Sequence, residues 1–321
     1  MGEISVKTGN NARNGGKNSL NRLIRCVCGK KIGPDPRNFN QRVSLGRNDL
    51  LIRTFPKRIL QMDLGEIAIK NSDWIWSTLR EAKKLSYQIG EESITDFLVL
   101  NIKKWGRGKI IINTFTRHKE SVNGSDWEWW FTGRSGKWLG MRIQAKVPNL
   151  NSEKYEHLHH TNKNGHQVDL LIADAKKYDL IPLYCMYTNW KSGSYKVNWE
   201  CKTYKRSILH YGAAILNPLK VKHLQQNRAN HLTDVIDDLR PMHCLFCCKG
   251  FSQGDLPERA LEWLSGVGLL IEQDAPSLEY FIKDAPPYYV TQMLEGGIQE
   301  DVIDLHDDRL KRVTIFNLVG E

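Results

Sequence analysis

Gln144 and Lys146 stand two residues apart in the stretch KWLGMRIQAKV, and Asp126 opens the preceding apolar stretch DWEWWF. Alternate residues of a β-strand share a face, so Gln144 and Lys146 lie together, with Ile143 and Ala145 opposite. The same period joins Asp126 to Glu128 and turns Trp127, Trp129 and Phe131 the other way. The short Gly-rich turn TGRSGK links the two strands and brings Asp126 near Gln144 and Lys146. A carboxylate, an amide oxygen and an ammonium then share one pocket. Such oxygens suit a hard divalent cation, and a lysine beside them orients an attacking water.

A second acid comes from the helix predicted over EESITDFLVLNIKKW. Its apolar residues are Ile94, Phe97, Leu98, Val99, Leu100 and Ile102. On a helical wheel their mean direction lies roughly 35° from Glu91 and roughly 135° from Glu92. Glu91 is therefore expected to face the sheet, and Glu92 solvent. A buried-face carboxylate needs a partner, and a metal supplies one. Glu92 is the fallback if the helix starts one residue out of step.

The elements around these residues follow from pattern. A helix is expected over WIWSTLREAKKLSYQ from Asp73, interrupted at Gly90 and restarting to Trp105. GKIIINTFTRH, GSDWEWWF and KWLGMRIQAKV read as three strands. VDLLIADAKKY reads as a helix, and LIPLYCMYT as a buried strand after it. Short connections imply an antiparallel meander followed by a helical crossover to a fourth strand. The expected fold class is α/β, a mixed sheet flanked by helices. Beyond residue 200 the pattern gives helices near 218–239 and 256–266 and a terminal strand at VTIFNLV. The domain reading is a basic, partly flexible extension over 1–72, an α/β core over 73–199, and a mixed region over 200–321. There is no internal repeat and no Walker A sequence, which excludes a P-loop motor.

The order helix-Glu, strand-Asp, strand-(Glu/Gln)-x-Lys resembles the PD-(D/E)XK nuclease superfamily. Its Q-x-K form is similar to the Mrr-type restriction endonuclease branch. GEESITD…KESVNGSDWEWW…RIQAK…QVDLLI…PLYCMYT also resembles an uncharacterised bacterial family of predicted nucleases, over roughly residues 88–190. The resemblance implies a core of helix, three-stranded meander, helix and strand. It implies hydrolysis of phosphodiester bonds of nucleic acid, DNA before RNA, in bacterial restriction or anti-phage defence. It also implies Mg²⁺ or Mn²⁺ held by Glu91, Asp126 and Gln144, with Lys146 orienting water and offsetting charge on phosphorus. Gln144 departs from the acid usual there, so the site carries less negative charge and a further acid is expected to help. Glu120 and Glu128 are the candidates, and Gln167 is a candidate pocket-lining residue on the next helix. The alternative reading is a non-catalytic nucleic-acid-binding module or partner subunit on a degenerate nuclease fold. Singly, Asp126 and Lys146 would pass as solvated strand-end residues, and Glu91 as a first-turn charge facing the helix dipole.

Other signals carry two readings each. Cys26-x-Cys28 and Cys244-x-x-Cys247-Cys248, preceded by His243, have zinc-ligand spacings. The two pairs lie far apart, and MHCLFCC reads equally as a buried apolar strand with cysteines as small hydrophobes. The apolar reading is preferred over structural Zn²⁺, and Cys185 and Cys201 are read as core. His157, His159, His160 and His166 form a His-rich stretch beside the proposed site, expected to be a mobile, phosphate-facing loop. Trp130 shares the face of Asp126, where core packing is favoured over stacking on a base.

Charge points the same way. The chain of 321 residues carries a net +10, with 40% hydrophobic and 26% charged residues, which excludes a disordered or collagen-like chain. Residues 1–60 hold 13 Lys/Arg against 3 Asp/Glu, whereas residues 251–321 hold 5 against 14. A basic body before an acidic tail implies a polyanion partner, and a protein partner or homo-oligomer is compatible with that tail. No long apolar run and no secretory h-region are present, so no membrane association is expected. Together with 7 cysteines these features lead to the expectation of a reduced, cytoplasmic protein.

Overall fold

The computed structural model describes residues 62–106, 110–114, 126–197, 199–248, 254–271, 277–295 and 312–318. Helix α1 spans Leu64–Lys84 and starts nearer the N-terminus than Asp73. A reciprocal capping box explains this, since Asp63 accepts from Glu66 N while Glu66 accepts from Asp63 N. The Asp63-x-x-Glu66 spacing is visible in the sequence. Helix α2 spans Glu91–Trp105. Strands β1 (Ile110–Thr114), β2 (Trp127–Thr132) and β3 (Trp138–Lys146) follow. A small hairpin of β4 (Thr161–Asn162) and β5 (Gly165–His166) leads into α3 (Gln167–Lys177) and β6 (Ile181–Tyr187). Next come β7 (Ala213–Leu216), α4 (Pro218–Gln226), α5 (Leu232–Val235), β8 (Arg240–Pro241) and α6 (Cys244–Cys247). The described chain ends with α7 (Leu256–Gly266), β9 (Ile282–Lys283), α8 (Tyr288–Leu294) and β10 (Arg312–Asn317).

The result is an α/β structure with a mixed sheet in the order β1-β10-β2-β3-β6-β7-β8. The β2–β3 hairpin is antiparallel, and β3 runs parallel to β6 across α3, as a helical crossover requires. The simple meander is corrected in one place. β10 inserts between β1 and β2, antiparallel to the first and parallel to the second. Its Val313, Ile315 and Phe316 are buried, so the slot gives this apolar segment two paired edges. β7, β8, β9 and β10, from beyond residue 200, thus belong to the same sheet. β9 pairs with Trp138 and Leu139, at the end of β3 that β6 does not reach.

Two further expectations change. The span near 218–239 divides into α4 and α5, with Arg228 between them at φ 52°. MHCLFCC holds the short helix α6 instead of a strand. Strand periodicity sorts the core. Trp127, Trp129, Phe131, Ile143, Ala145 and Cys185 pack with α1, α2, α6 and α7. The opposite face meets α3, α4 and α5 through Tyr184 and Met186, and α8 through Trp130, Val313 and Ile315. No helix among the described residues is long and apolar enough to cross a membrane.

Candidate functional site

β3 is buried along its whole length, yet Arg142, Gln144 and Lys146 occupy alternate positions on one face. Each polar group there needs a partner. Arg142 is answered at its cross-strand position by Glu128, 2.8 Å away, and by Asp174 of α3 at 3.0 Å. Tyr289 and Trp130 also donate to Glu128. Gly140 faces Trp130 across the hairpin, and a Cβ there would stand 2.7 Å from the indole ring. The indole lies over that gap and is fully buried, so base stacking by Trp130 is ruled out. Glu128 is likewise committed to the Arg142 network, which corrects its reading as a helper acid.

One turn of the pleat further on, the expected site residues come together. Asp126 N donates to Ile143 O at 2.9 Å, which continues the ladder and sets Asp126 opposite Gln144. Gln144 Nε2 donates to Asp126 Oδ2, and Ala145 N donates to the same oxygen at 3.2 Å. Gln167, the first residue of α3, donates Nε2 to Gln144 Oε1 at 3.0 Å. Lys146 Nζ lies 3.6 Å from Glu91 Oε1, with the lysine side chain 5% exposed. Thr95 ties the first turn of α2 to β6, its hydroxyl donating to the Glu91 carbonyl at 2.9 Å and bonding the Tyr187 hydroxyl at 2.7 Å.

Glu91 therefore faces the site and Glu92 is exposed, as the wheel indicates, although Phe97 and Leu100 turn out to solvent. Glu120 lies outside the described residues, as do Cys26 and Cys28.

Negative charge concentrates here. Burial raises the Tyr184 hydroxyl above its ordinary range, and the charges of Asp126, Glu91 and Asp169 add to that. The Tyr184 hydroxyl is buried without a hydrogen-bond partner among the described residues. Gln167 Oε1 is in the same condition. The oxygen-rich donor set, with these orphaned polar atoms beside it, fits a hard divalent cation. Asp126, Glu91 and the Gln144 amide oxygen are the groups able to hold it.

A cleft of about 560 Å³ opens beside α3, lined by His159, His166, Lys222 and Arg228 together with amide side chains. His166, in its lining, directly precedes Gln167 in the chain. Its hydrogen-bond donors suit an anionic ligand.

Two features escaped sequence reasoning. The Glu128–Arg142–Asp174 network was hidden because charged residues in a strand ordinarily read as its solvated face. Cys201 is buried in the core as expected, and there it also meets His243, Cys244 and Cys247.

Residues 64–319 match the model of a family of unknown function, DUF6615. No curated protein and no solved structure matches the chain.

Proposed function

The chain belongs to the DUF6615 family, and we propose that it is a divalent-metal-dependent nuclease cleaving phosphodiester bonds of DNA. The observation that carries this reading is the convergence of Asp126 at the start of β2, Gln144 and Lys146 at the end of β3, and Glu91 at the start of α2. The path from α2 through β1, the β2–β3 hairpin and α3 to a parallel β6 is in keeping with a PD-(D/E)XK core, apart from β10 lying between β1 and β2. By resemblance, the setting is bacterial restriction or anti-phage defence.

Asp126, Glu91 and the Gln144 carbonyl would hold Mg²⁺ or Mn²⁺. When bound, the ion supplies Lewis-acid polarisation of the phosphate and neutralises developing charge. The remaining work falls to the chain. Lys146, positioned by the Glu91 carboxylate, orients the attacking water and offsets charge on the phosphoryl oxygens. Gln167 fixes the Gln144 amide. Both amides carry donor and acceptor ends, so turning the pair offers a carbonyl to the cation and a donor to Gln167 Oε1. The cleft at His159, His166, Lys222 and Arg228 offers donors to a sugar–phosphate backbone.

Asp126→Ala tests the assignment. With Mg²⁺ and plasmid DNA, folded Asp126→Ala protein should cleave at least about 100-fold more slowly, the scale of one strong electrostatic contribution. Cleavage near the wild-type rate would remove Asp126 from the site.

A further inference from the structure

Outside the acidic site, four metal-ligating side chains meet from two distant stretches of chain. Cys201 lies in the long connection between β6 and β7, while His243, Cys244 and Cys247 sit at α6. Their ligand atoms all lie within 4.8 Å of one another. Cys201 Sγ is 3.7 Å from Cys247 Sγ, and Cys244 Sγ is 3.7 Å from His243 Nε2. Cys201, His243 and Cys244 are buried, and Cys247 is half-buried. All four described thiols of this cluster, Cys248 included, are unbridged.

Thiols are weak hydrogen-bond donors and acceptors, so contacts of this kind do little to hold two loops together. The spacing matches another arrangement. Thiolates about 2.3 Å from a tetrahedral zinc stand roughly 3.8 Å from each other. An iron–sulfur cluster spreads its thiolates over several irons, so it needs a wider cage than this. Soft sulfur and imidazole donors also discriminate against Mg²⁺.

The surroundings of His243 complete the pattern. Its ring packs between Trp199, Tyr204 and His210, with centroids 5.7, 5.7 and 4.9 Å away. Nε2 points at the thiols. Nδ1 is buried with no hydrogen-bond partner among the described residues, and the same holds for Asp73 Oδ1.

We propose that Cys201, His243, Cys244 and Cys247 form a structural zinc site. Four protein ligands close the coordination sphere, leaving no open position for substrate. The thiols pack with the sheet face opposite Gln144 and Lys146. The ion clips the connection between β6 and β7 onto α6. It also steadies α1, whose Asp63 accepts from Tyr204 at 3.1 Å. Cys248 Sγ, 3.8 Å from Cys247, is a neighbour to the site.

Elemental analysis of the purified full chain tests this. It should carry about one zinc per chain, closed by four ligands. Cys201→Ser should retain less than half of that, while Cys185→Ser, Cys248→Ser and Asp126→Ala retain all of it. Retention in Asp126→Ala separates this site from the proposed nuclease centre. Should Cys201→Ser not fold, the wild-type chain is stripped with chelator and titrated with Co²⁺, whose thiolate charge-transfer absorption should appear at one equivalent. Wild-type protein from zinc-supplemented cells with under about a tenth of an equivalent, or no Co²⁺ band, would overturn the site. So would a two-dalton mass deficit from a Cys201–Cys247 disulfide in metal-free native protein.

Discussion

Gln167 Nε2 donates to Gln144 Oε1 at 3.0 Å, so the first residue of α3 fixes the amide that stands between Asp126 and the crossover helix. An amide held at both ends behaves as a neutral member of a carboxylate site. Gln144→Glu should therefore keep the Gln167 contact and add a charge beside Asp126. Without metal, the two carboxylates should raise the proton affinity of one of them. With metal, the half-saturating Mg²⁺ concentration for cleavage should fall. Calorimetric Mg²⁺ titration of both proteins checks this, and weaker binding by the Gln144→Glu protein would mark Gln144 as a core hydrogen-bonding residue.

Arg142 lies between Glu128 and Asp174 with its side chain 2% exposed. Removing one member of a buried ion network leaves the others uncompensated, at a penalty of about 3–5 kcal/mol. Arg142→Met should lower the urea midpoint accordingly without changing the chemistry of any folded fraction. Unchanged stability would mean that Glu128 and Asp174 are solvated or protonated.

Burial, with the Glu91 charge adding to it, pushes the Cys185 thiol up to about 12. Native protein at pH 8.5 should thus leave Cys185 unalkylated by iodoacetamide, and the thiol should react only after unfolding. Mass mapping of the labelled peptide distinguishes the two, and rapid native labelling would place Cys185 at a solvent-accessible surface.

The site was legible in the sequence where a period governs it. Strand alternation set Gln144 and Lys146 against Ile143 and Ala145, and the helical wheel chose Glu91 over Glu92. That choice survived the exposure of Phe97 and Leu100 because Ile94, Leu98, Val99 and Ile102 still define the buried stripe. Features made by distant segments were not legible. Nothing local to VTIFNLV says that it pairs with β1 and β2, and nothing local to Cys201 announces His243. Start signals were present at Asp63 and Glu66, but the basic residues on either side masked the onset of α1.

Residues 1–60 carry 13 Lys/Arg against 3 Asp/Glu and contain none of the site residues. Phosphate contacts release counterions, so affinity falls with salt at a slope that tracks their number. Deleting this segment should give a shallower log–log salt dependence of DNA binding while low-salt, saturating cleavage persists. An equal slope would put the polyanion contact on residues 61–250.

Cleavage of plasmid DNA by the wild-type chain and by Lys146→Ala, each with Mg²⁺ and with EDTA, tests the central claim. The wild-type protein should cut only with the metal, and the Lys146→Ala protein should bind DNA with similar affinity but cut at least about 100-fold more slowly. Salt-dependent binding by the wild-type protein without any Mg²⁺-dependent cleavage would contradict the account and leave a nucleic-acid-binding module in its place.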